Sequence, residues 1–250
     1  MQNKFRQLSR KLEKIVRLRT PPIGIKLYDD LKEIPNKAYR PAVATVCQLP
    51  AIARYHDILV AGERGRVTCP MGARALGFDD WPVNFFETRV GEYSDDIKAI
   101  KRMLQQTPLI DIGKFAGFTA APLSRMNTTP DIISVYANTA QVLLLAYGVS
   151  WKAGTPLVCQ TTGHMGECSG VIASTYLSQQ ATLALPCYGA RRRGLCADSE
   201  MVVGIPGNIF EEIVEGVVRT FESGRCYPIK VHGLIGHYHA HWPKVKDKLY

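Results

Sequence analysis

From residue 131 onward, short apolar runs alternate with longer segments of helical pattern, and this alternation restricts the fold more than any other feature. Strands are predicted at DIISVYA (131–137), TPLVC (155–159), ATLAL (181–185) and EMVVGIP (200–206). Helical patterns occupy 138–154, 168–180 and 208–224, with Asn138 as the first cap and Gly154 and Gly224 as terminators. Such alternation is typical of an α/β core with several crossovers.

The chain before residue 131 carries the same kinds of pattern in a less regular order. Apolar runs predict strands at 23–27, 41–46, 65–68 and 117–123, and Ser94 predicts the start of a helix over 94–106. Residues 3–18 place apolar side chains at helical spacing among many basic ones, which predicts an amphipathic basic helix. That helix must end before Pro21 and Pro22.

No stretch rich in proline, serine or glycine divides the chain, so we predict a single domain over residues 1–250. Its fold class is α/β, with a mixed α+β arrangement as the alternative. A basic N-terminal helix (1–20) precedes a core (21–224) whose mixed sheet is flanked by helices, and a tail (225–250) follows.

Charge and hydropathy narrow the functional classes. The net charge is +9, but residues 1–19 alone hold seven basic residues and one acidic residue, so the rest of the chain is only slightly basic. Charge confined to one helix argues against a nucleic-acid-binding protein. The longest apolar run, VLLLAYGV (142–149), is shorter than the about 18–20 residues of a membrane span. The N-terminus lacks the apolar core of a signal peptide, so we expect a cytoplasmic protein without a membrane span.

The seven cysteines are the most informative candidates for chemistry. They stand at positions 47, 69, 159, 168, 187, 196 and 226, an odd number that cannot pair completely within the chain. In a reducing compartment, free thiols or metal ligands are favoured over disulfides. Cys47, Cys69, Cys159 and Cys187 each follow a predicted strand, where sites form in α/β sheets. Their spacing contains no C-x-x-C pair, so ordinary buried thiols remain the alternative to a metal site.

Basic and glycine-rich segments offer a second kind of site. Arg191, Arg192 and Arg193 lie between two cysteines in LPCYGARRRGLC (185–196), and Arg74 occupies a similar Cys…Gly-Ala-Arg context in CPMGARALG (69–77). Guanidinium groups suit phosphates and carboxylates, although a solvated basic turn is an equal alternative. GHMGECSG (163–170) could form an anion-holding loop before a helix, and no ATP or dinucleotide fingerprint is present.

Three histidines form a further candidate metal site in the tail. If the tail is extended, His237, His239 and His241 lie on one face, where they could bind zinc or nickel. A solvated terminal histidine cluster is the competing interpretation.

Several motifs together resemble domain-of-unknown-function family 169, over about residues 10–222. They are PPIGIKL (21–27), Cys47, the pattern Cys69-x2-Gly-x3-Leu-Gly, and the block LPCYGARRRGLCADSEMVVGIPGNIFEEIVEGV (185–217). The family occurs mainly in anaerobic bacteria and archaea and brings no biochemical function with it. The resemblance implies a cytoplasmic protein of anaerobic metabolism. It also draws attention to Cys47, Cys69, Cys168 and Cys187, which match the family's cysteine pattern.

The leading hypothesis is a protein that binds an iron–sulfur cluster of the 4Fe-4S type, or another thiolate-held metal, through those four cysteines. Cys159 and Cys196 are reserve ligands, while Arg74, Arg191 and Arg192 would neutralise cluster charge or hold an anion. Such a protein would act as a redox or accessory subunit with a redox partner or larger enzyme complex. Whether it is an enzyme or a homo-oligomer stays open.

Two other hypotheses remain. In one, Arg191–Arg193 and loop 163–170 form a non-redox pocket for an anionic small molecule or acyl group, and the cysteines only pack in the core. In the other, helix 3–18 docks a nucleic acid or a protein partner, with binding that weakens steeply as salt rises.

Overall fold

A computed structural model of the chain describes residues 2–229, which contain eight α-helices and seven strands. The helices are α1 (Gln2–Val16), α2 (Gln48–His56), α3 (Pro70–Ala75), α4 (Ile97–Gln105), α5 (Thr139–Ala153), α6 (Ser174–Ser178), α7 (Tyr188–Arg192) and α8 (Phe210–Glu222). The strands are β1 (Ile23–Tyr28), β2 (Val60–Glu63), β3 (Gly117–Pro122), β4 (Ile132–Asn138), β5 (Val158–Cys159), β6 (Thr182–Ala184) and β7 (Glu200–Pro206). A π-helix spans Cys168–Ala173, and short 3-10 turns lie at Leu31–Glu33, Glu87–Arg89 and Gly207–Ile209.

All seven strands form one mixed sheet in the order β2-β3-β1-β4-β7-β6-β5. Only β5 and β6 pair in parallel, and the other neighbours are antiparallel. The predicted α/β fold with a mixed sheet flanked by helices is therefore confirmed, although few of its connections are parallel crossovers.

Each face of the sheet is covered by its own helices. On the first face, which we call the site face, α2, α3, α4 and the π-helix bury apolar side chains against the strands. On the opposite face, α1, α5 and α8 do the same, with Leu12 and Val16 anchoring the basic N-terminal helix. Successive side chains of strand β4 point to opposite faces of the sheet. Ile132 contributes to the core of the site face and Ile133 to the opposite core. Each fully buried side chain of this size contributes about 1.5–3 kcal/mol.

Helix α5 has the boundaries expected from its sequence. The Asn138 side chain accepts a hydrogen bond from the Gln141 backbone N–H, while the Gln141 side chain accepts one from the Asn138 backbone N–H. This reciprocal capping box satisfies two backbone donors at the helix start. At the other end, Gly154 adopts a φ of 65°, in the left-handed region that favours glycine.

Two strands predicted in the N-terminal half are absent from the described residues. The segments 41–46 and 65–68 meet only at one isolated bridge between Ala44 and Val67, and the strand nearby is β2. The physical reason lies at Thr45, whose backbone N–H donates to the Gln48 side chain. That bond starts the turn into α2 and removes a donor that a strand would use.

Other boundaries shift by a few residues. Helix α4 begins after Asp96 instead of Ser94, because the Asp96 carboxylate accepts the Lys98 backbone N–H as the helix cap. The predicted helix over 168–180 opens as a π-helix before it becomes α6. No helix within residues 2–229 combines the length and apolar character needed to cross a membrane. The three tail histidines lie outside the described residues.

Candidate functional site

Four cysteines on the site face each mark the start of a helix. Cys47, Cys69 and Cys187 are the residues immediately before α2, α3 and α7, and Cys168 is the first residue of the π-helix. The prediction that Cys47 and Cys69 follow strands is wrong, because loops precede both. The four positions are thus brought together by helix starts that pack over one face, and not by the ends of parallel strands.

Close glycine contacts join the Cys47 segment to two of the others. A Cβ atom added to Gly72 of α3 would lie 2.7 Å from Val46 Cγ2, one residue before Cys47. A Cβ atom added to Gly194, after α7, would lie 2.8 Å from the carbonyl oxygen of Cys47. Both contacts require glycine because a side chain would push the segments apart.

Two further contacts connect the segment of Cys168 to the segments of Cys187 and Cys69. A Cβ atom added to Gly166 would overlap the Leu185 carbonyl oxygen and lie 2.9 Å from the Cys187 nitrogen, so the segment before Cys168 lies against the segment that enters α7. Helix α3 packs against the π-helix that begins with Cys168. We call Cys47, Cys69, Cys168 and Cys187 the cysteine ring, since each of their segments touches two others.

The ring thiols also influence one another electrostatically. Burial raises the pKa of the Cys47 thiol to about 12, and negative charge on Glu167, Cys187 or Cys69 acts in the same direction. Burial also raises the pKa of Cys168 well above its usual value, with further contributions from Cys187, Cys69 and Cys47. Ionising one thiol therefore opposes ionising the next, and positive charge placed among them would reverse that effect.

The spacing of the ring does not match a single bound ion. Within residues 2–229, no three Cys, His, Asp or Glu side chains are arranged closely enough to hold one metal ion. Tetrahedral thiolate coordination at about 2.3 Å would bring the sulfur atoms to about 3.8 Å from one another. Within the described residues, the ring cysteines therefore do not form a site for a single metal ion.

The reserve cysteines lie in different surroundings. Cys159 is exposed on the edge strand β5, and partial burial is what raises the pKa of its thiol. Cys196 is buried, and burial followed by the charge of Glu167 raises the pKa of its thiol. Its Sγ lies 3.9 Å from the Gly194 carbonyl oxygen, and Cys47 is among the charges that act on it. Cys196 is thus a neighbour of the ring, whereas no ring thiol is among the groups that shift the pKa of Cys159.

The predicted anion-binding arginines have mostly local partners. Arg74 donates to the Ile110 carbonyl oxygen at 3.0 Å and approaches Asp80 at 3.6 Å. Arg191 donates to the Ala197 carbonyl oxygen at 2.6 Å and lies 3.8 Å from Asp198. Arg192 is exposed, as is Arg193.

Loop 163–170 lies against a cleft of about 300 Å³ with hydroxyl and amide neighbours. Gln106, Thr107 and Gln160 line it together with His164, and among the described residues none of the three consecutive arginines does. This cleft is therefore not lined by the arginines that the sequence analysis paired with the loop.

A buried acid that the sequence analysis did not single out lies beside the ring. The Glu167 carboxylate is buried, and its Oε1 accepts a hydrogen bond from the Tyr136 hydroxyl. Its Oε2 has no hydrogen-bond partner in the described structure. Burial raises the pKa of Glu167 to about 7, although the Tyr136 hydrogen bond and the Arg54 charge oppose that shift. The sequence signal that could have identified Glu167 is its position next to Cys168 in a glycine-rich segment.

Arg54 and Glu200 extend this buried polar group. The Arg54 guanidinium carbon lies 3.6 Å from the centre of the Tyr136 ring, and its Nη2 lies 2.8 Å from Glu200 Oε1. Arg54 Nη1 is buried without a partner in the described structure. An arginine in the middle of the apolar segment QLPAIARYH was the sequence signal for this contact.

An aromatic pair borders the ring on the side of the cleft. The Tyr93 and His164 rings stack with centroids 3.9 Å apart. Burial raises the pKa of the Tyr93 phenol, and Cys69 and Cys187 are among the charges that add to the shift. Burial lowers the pKa of His164, so this ring favours its neutral form.

Comparison with known proteins identifies one related family. The sequence model of domain-of-unknown-function family 169, described as uncharacterised ArCR, matches residues 11–216. The matched range includes all four ring cysteines. Neither a search of curated proteins nor a search of solved structures found a match.

Proposed function

The chain belongs to domain-of-unknown-function family 169, and we propose that its cysteine ring binds an iron–sulfur cluster of the 4Fe-4S type. The observation that carries this proposal is the convergence of four cysteines from four separate segments. The glycine contacts at Gly72, Gly166 and Gly194 hold those segments together. Four thiolates are the usual protein ligands of such a cluster.

A cluster demands less of the thiol positions than a single metal ion does. Around one zinc ion, all four sulfur atoms would have to approach one centre, and the described side chains have no such arrangement. A cluster places its own iron and sulfide atoms between the cysteines, so its ligands stand farther apart. Four cysteines contributed by separate segments are the ligand set that such a cluster uses.

The surroundings of the ring also suit a cluster. Cys168 is buried and the other three ring cysteines are partly buried, which would limit the contact of bound iron with water. Positive charge from iron would stabilise thiolates that otherwise oppose one another's ionisation. When bound, the cluster would supply one-electron chemistry, and the chain would hold it and shield it.

With such a cluster, the protein would act as a redox or accessory subunit of anaerobic metabolism. A reducing cytoplasm is the compartment in which unpaired thiols and a cluster persist. The other two hypotheses receive less support, since Arg191 bonds within its own segment and α1 buries its apolar side against the sheet.

Anaerobic purification followed by absorption spectroscopy and iron and sulfide analysis tests the proposal. We expect a brown protein with about four irons and about four sulfides per chain. Replacing Cys47, Cys69 or Cys187 with serine should remove most of the iron. Cys159→Ser is the matched control and should retain it, because Cys159 lies on an exposed edge strand.

Thermal unfolding of each variant separates loss of ligand from loss of fold. Iron content is compared among variants that unfold cooperatively near the wild-type midpoint, and partly exposed Cys69 is the safest of the ring positions. A colourless, iron-free wild-type protein would refute the proposal. So would equal iron loss in Cys69→Ser and Cys159→Ser.

A further inference from the structure

A group of aromatic, apolar and basic side chains is exposed next to the cysteine ring. Tyr188, directly after Cys187, is 76% exposed, and Leu195 is 57% exposed. Arg192 and Arg193 are exposed between them, and Tyr55 of α2 is 43% exposed nearby. We call these five residues the α7 patch.

A hydrogen bond joins two members of the α7 patch that come from different elements. The Tyr55 hydroxyl donates to the Leu195 carbonyl oxygen at 3.3 Å, which joins α2 to the turn after α7. Arg19 Nη2 donates to the same hydroxyl at 3.0 Å and extends the surface toward the end of α1. Within α7, Tyr188 and Arg192 are four residues apart and therefore share a side of the helix.

Leu195 occupies a backbone conformation that leucine rarely adopts. Its φ is 53°, in the left-handed region, where a branched side chain is strained. Its neighbours Gly194 and Cys196 are buried, so the strained turn directs the apolar side chain outward between two fixed residues. Strain that keeps a leucine in water points to an interaction made by that side chain.

The charge of the α7 patch is positive. Within residues 2–229, neither Arg192 nor Arg193 forms an ion pair with a carboxylate. The nearby Asp198 faces Arg191 at 3.8 Å, and Glu200 is buried and engaged by Arg54 and Arg19. A partner that covers this surface must therefore bring acidic groups around an apolar contact.

We propose that the α7 patch is the docking surface for a small acidic electron-carrier protein. The inference rests on the proposed function, because Cys187 joins the patch to the ring and would bring the carrier close to a bound cluster. Tyrosine and arginine around an apolar side chain are the residue types that dominate binding at interface centres. The patch is small, as is usual for electron-transfer complexes, which bind briefly through small surfaces.

Charge argues against the chain's own C-terminal residues as the occupant. The chain's own residues 230–250 contain Lys230, Lys244, Lys246 and Lys248 against Asp247, so they would meet a basic surface with like charge. A nucleic acid would also satisfy the arginines and could stack on the exposed tyrosines, so RNA binding is an outcome that the test must distinguish.

Isothermal titration at low salt tests the proposal with two probes, an acidic ferredoxin and an acidic flavodoxin. We expect at least one probe to bind the wild-type protein with a Kd below about 100 µM and to weaken as salt rises. The double variant Arg192→Glu/Arg193→Glu should weaken binding at least tenfold. Leu195→Ser, which keeps the charge, should weaken it at least threefold.

The matched control is Arg10→Glu/Lys11→Glu, which makes the same charge change on the exposed side of α1. It should alter the Kd less than twofold. Equal weakening by the control and the patch variant would overturn the proposal, since net charge alone would then explain binding. Failure of both probes to bind would also overturn it, as would tight RNA binding that depends on the same arginines.

Iron content distinguishes failure of this inference from failure of the proposed function. The patch variants should keep the iron and absorption of the wild type, and Cys69→Ser should keep the carrier's affinity within threefold. An iron-free protein with patch-dependent carrier binding would refute the cluster and leave the docking surface. An iron-loaded protein without patch-dependent binding would refute the docking surface alone.

Discussion

Gly194 holds two cysteine-bearing segments at a separation that a larger residue would not permit. A Cβ atom there would lie 2.7 Å from the Ala190 carbonyl oxygen and 2.8 Å from the Cys47 carbonyl oxygen. Both neighbours are backbone atoms, which cannot rotate away as a flexible side chain could. The absence of a side chain at this residue therefore decides whether α7 can lie against Cys47.

We expect Gly194→Ala to lower bound iron to less than half of the wild-type amount and to destabilise the fold by about 1–3 kcal/mol. Gly189→Ala is the matched control, since its Cβ would meet only Cys187 Sγ, at an ordinary 3.8 Å. Iron analysis and guanidinium unfolding measure the two effects. Iron retention by Gly194→Ala at the level of Gly189→Ala would show that the contact does not shape the ring.

At the scale of single residues, the sequence selected the candidate cysteines but did not predict how they come together. The resemblance to a family was enough to select Cys47, Cys69, Cys168 and Cys187. Their closeness depends on long-range contacts of Gly72, Gly166 and Gly194, and a single sequence does not reveal what lies opposite a glycine. Glu167 escaped notice for the same reason, because its burial is set by distant residues.

At the scale of elements, α5 and α8 cross on the face opposite the site through two glycines. A Cβ atom on Gly148 would lie 2.6 Å from the Ile213 carbonyl oxygen, and one on Gly216 would lie 2.8 Å from the Gly148 carbonyl oxygen. The two backbones therefore touch directly, which fixes how both helices lie on β4 and β7.

Gly148→Ala should destabilise the protein by about 1–2 kcal/mol. Overpacking costs about 1–3 kcal/mol, and the better helix propensity of alanine offsets up to about 1 kcal/mol of it. Lys152→Ala on the same helix removes only an exposed ion pair with Glu212 and should cost less than about 1 kcal/mol. Urea unfolding compares the two variants, and an equal or smaller loss in Gly148→Ala would contradict the close crossing.

Elements with strong local signals were predicted correctly. Helix α5 has its capping box, α8 has a regular apolar stripe, and β1, β4 and β7 are apolar runs between turn residues. The segment 41–46 misled the prediction because its apolar side chains pack in the core without a strand ladder. The π-helix was missed because its apolar periodicity resembles that of an ordinary helix.

For the whole molecule, Arg54 joins three distant parts of the chain beneath the surface. Its Nε donates to the Thr20 hydroxyl at 3.0 Å, and its Nη2 donates to Glu200 Oε1 of β7 at 2.8 Å. The Arg54 side chain is 0% exposed, so these contacts exchange little with water. The N-terminal segment, α2 and the central sheet are therefore coupled through one guanidinium group.

Arg54→Met should destabilise the protein by about 3–5 kcal/mol, because it leaves the Glu200 carboxylate buried without its main partner. Arg125→Met, which breaks an exposed pair with Asp57, should cost far less, because water screens that pair. Denaturant unfolding measures both. The double variant Arg54→Met/Glu200→Leu should regain part of the loss, and no recovery there would point to packing instead of charge as the role of Arg54.

The overall architecture was only partly accessible from the sequence. Alternating patterns indicated a sheet with helices on it, but the largely antiparallel order depends on which strands find each other across long connections. The prediction that the cysteines would meet at strand ends was therefore wrong. The cysteine ring lies where the starts of helices meet over the site face.

The positions of the ring cysteines along the chain have a consequence for biosynthesis. Strands β2 to β6 all lie between Cys47 and Cys187, so the ring closes only after most of the sheet has been made. A nascent chain still held in the ribosome before α7 emerges cannot present four thiols together. The proposed cluster could therefore be inserted only after β2 to β6 have been made, whereas a small metal domain binds its metal as it folds.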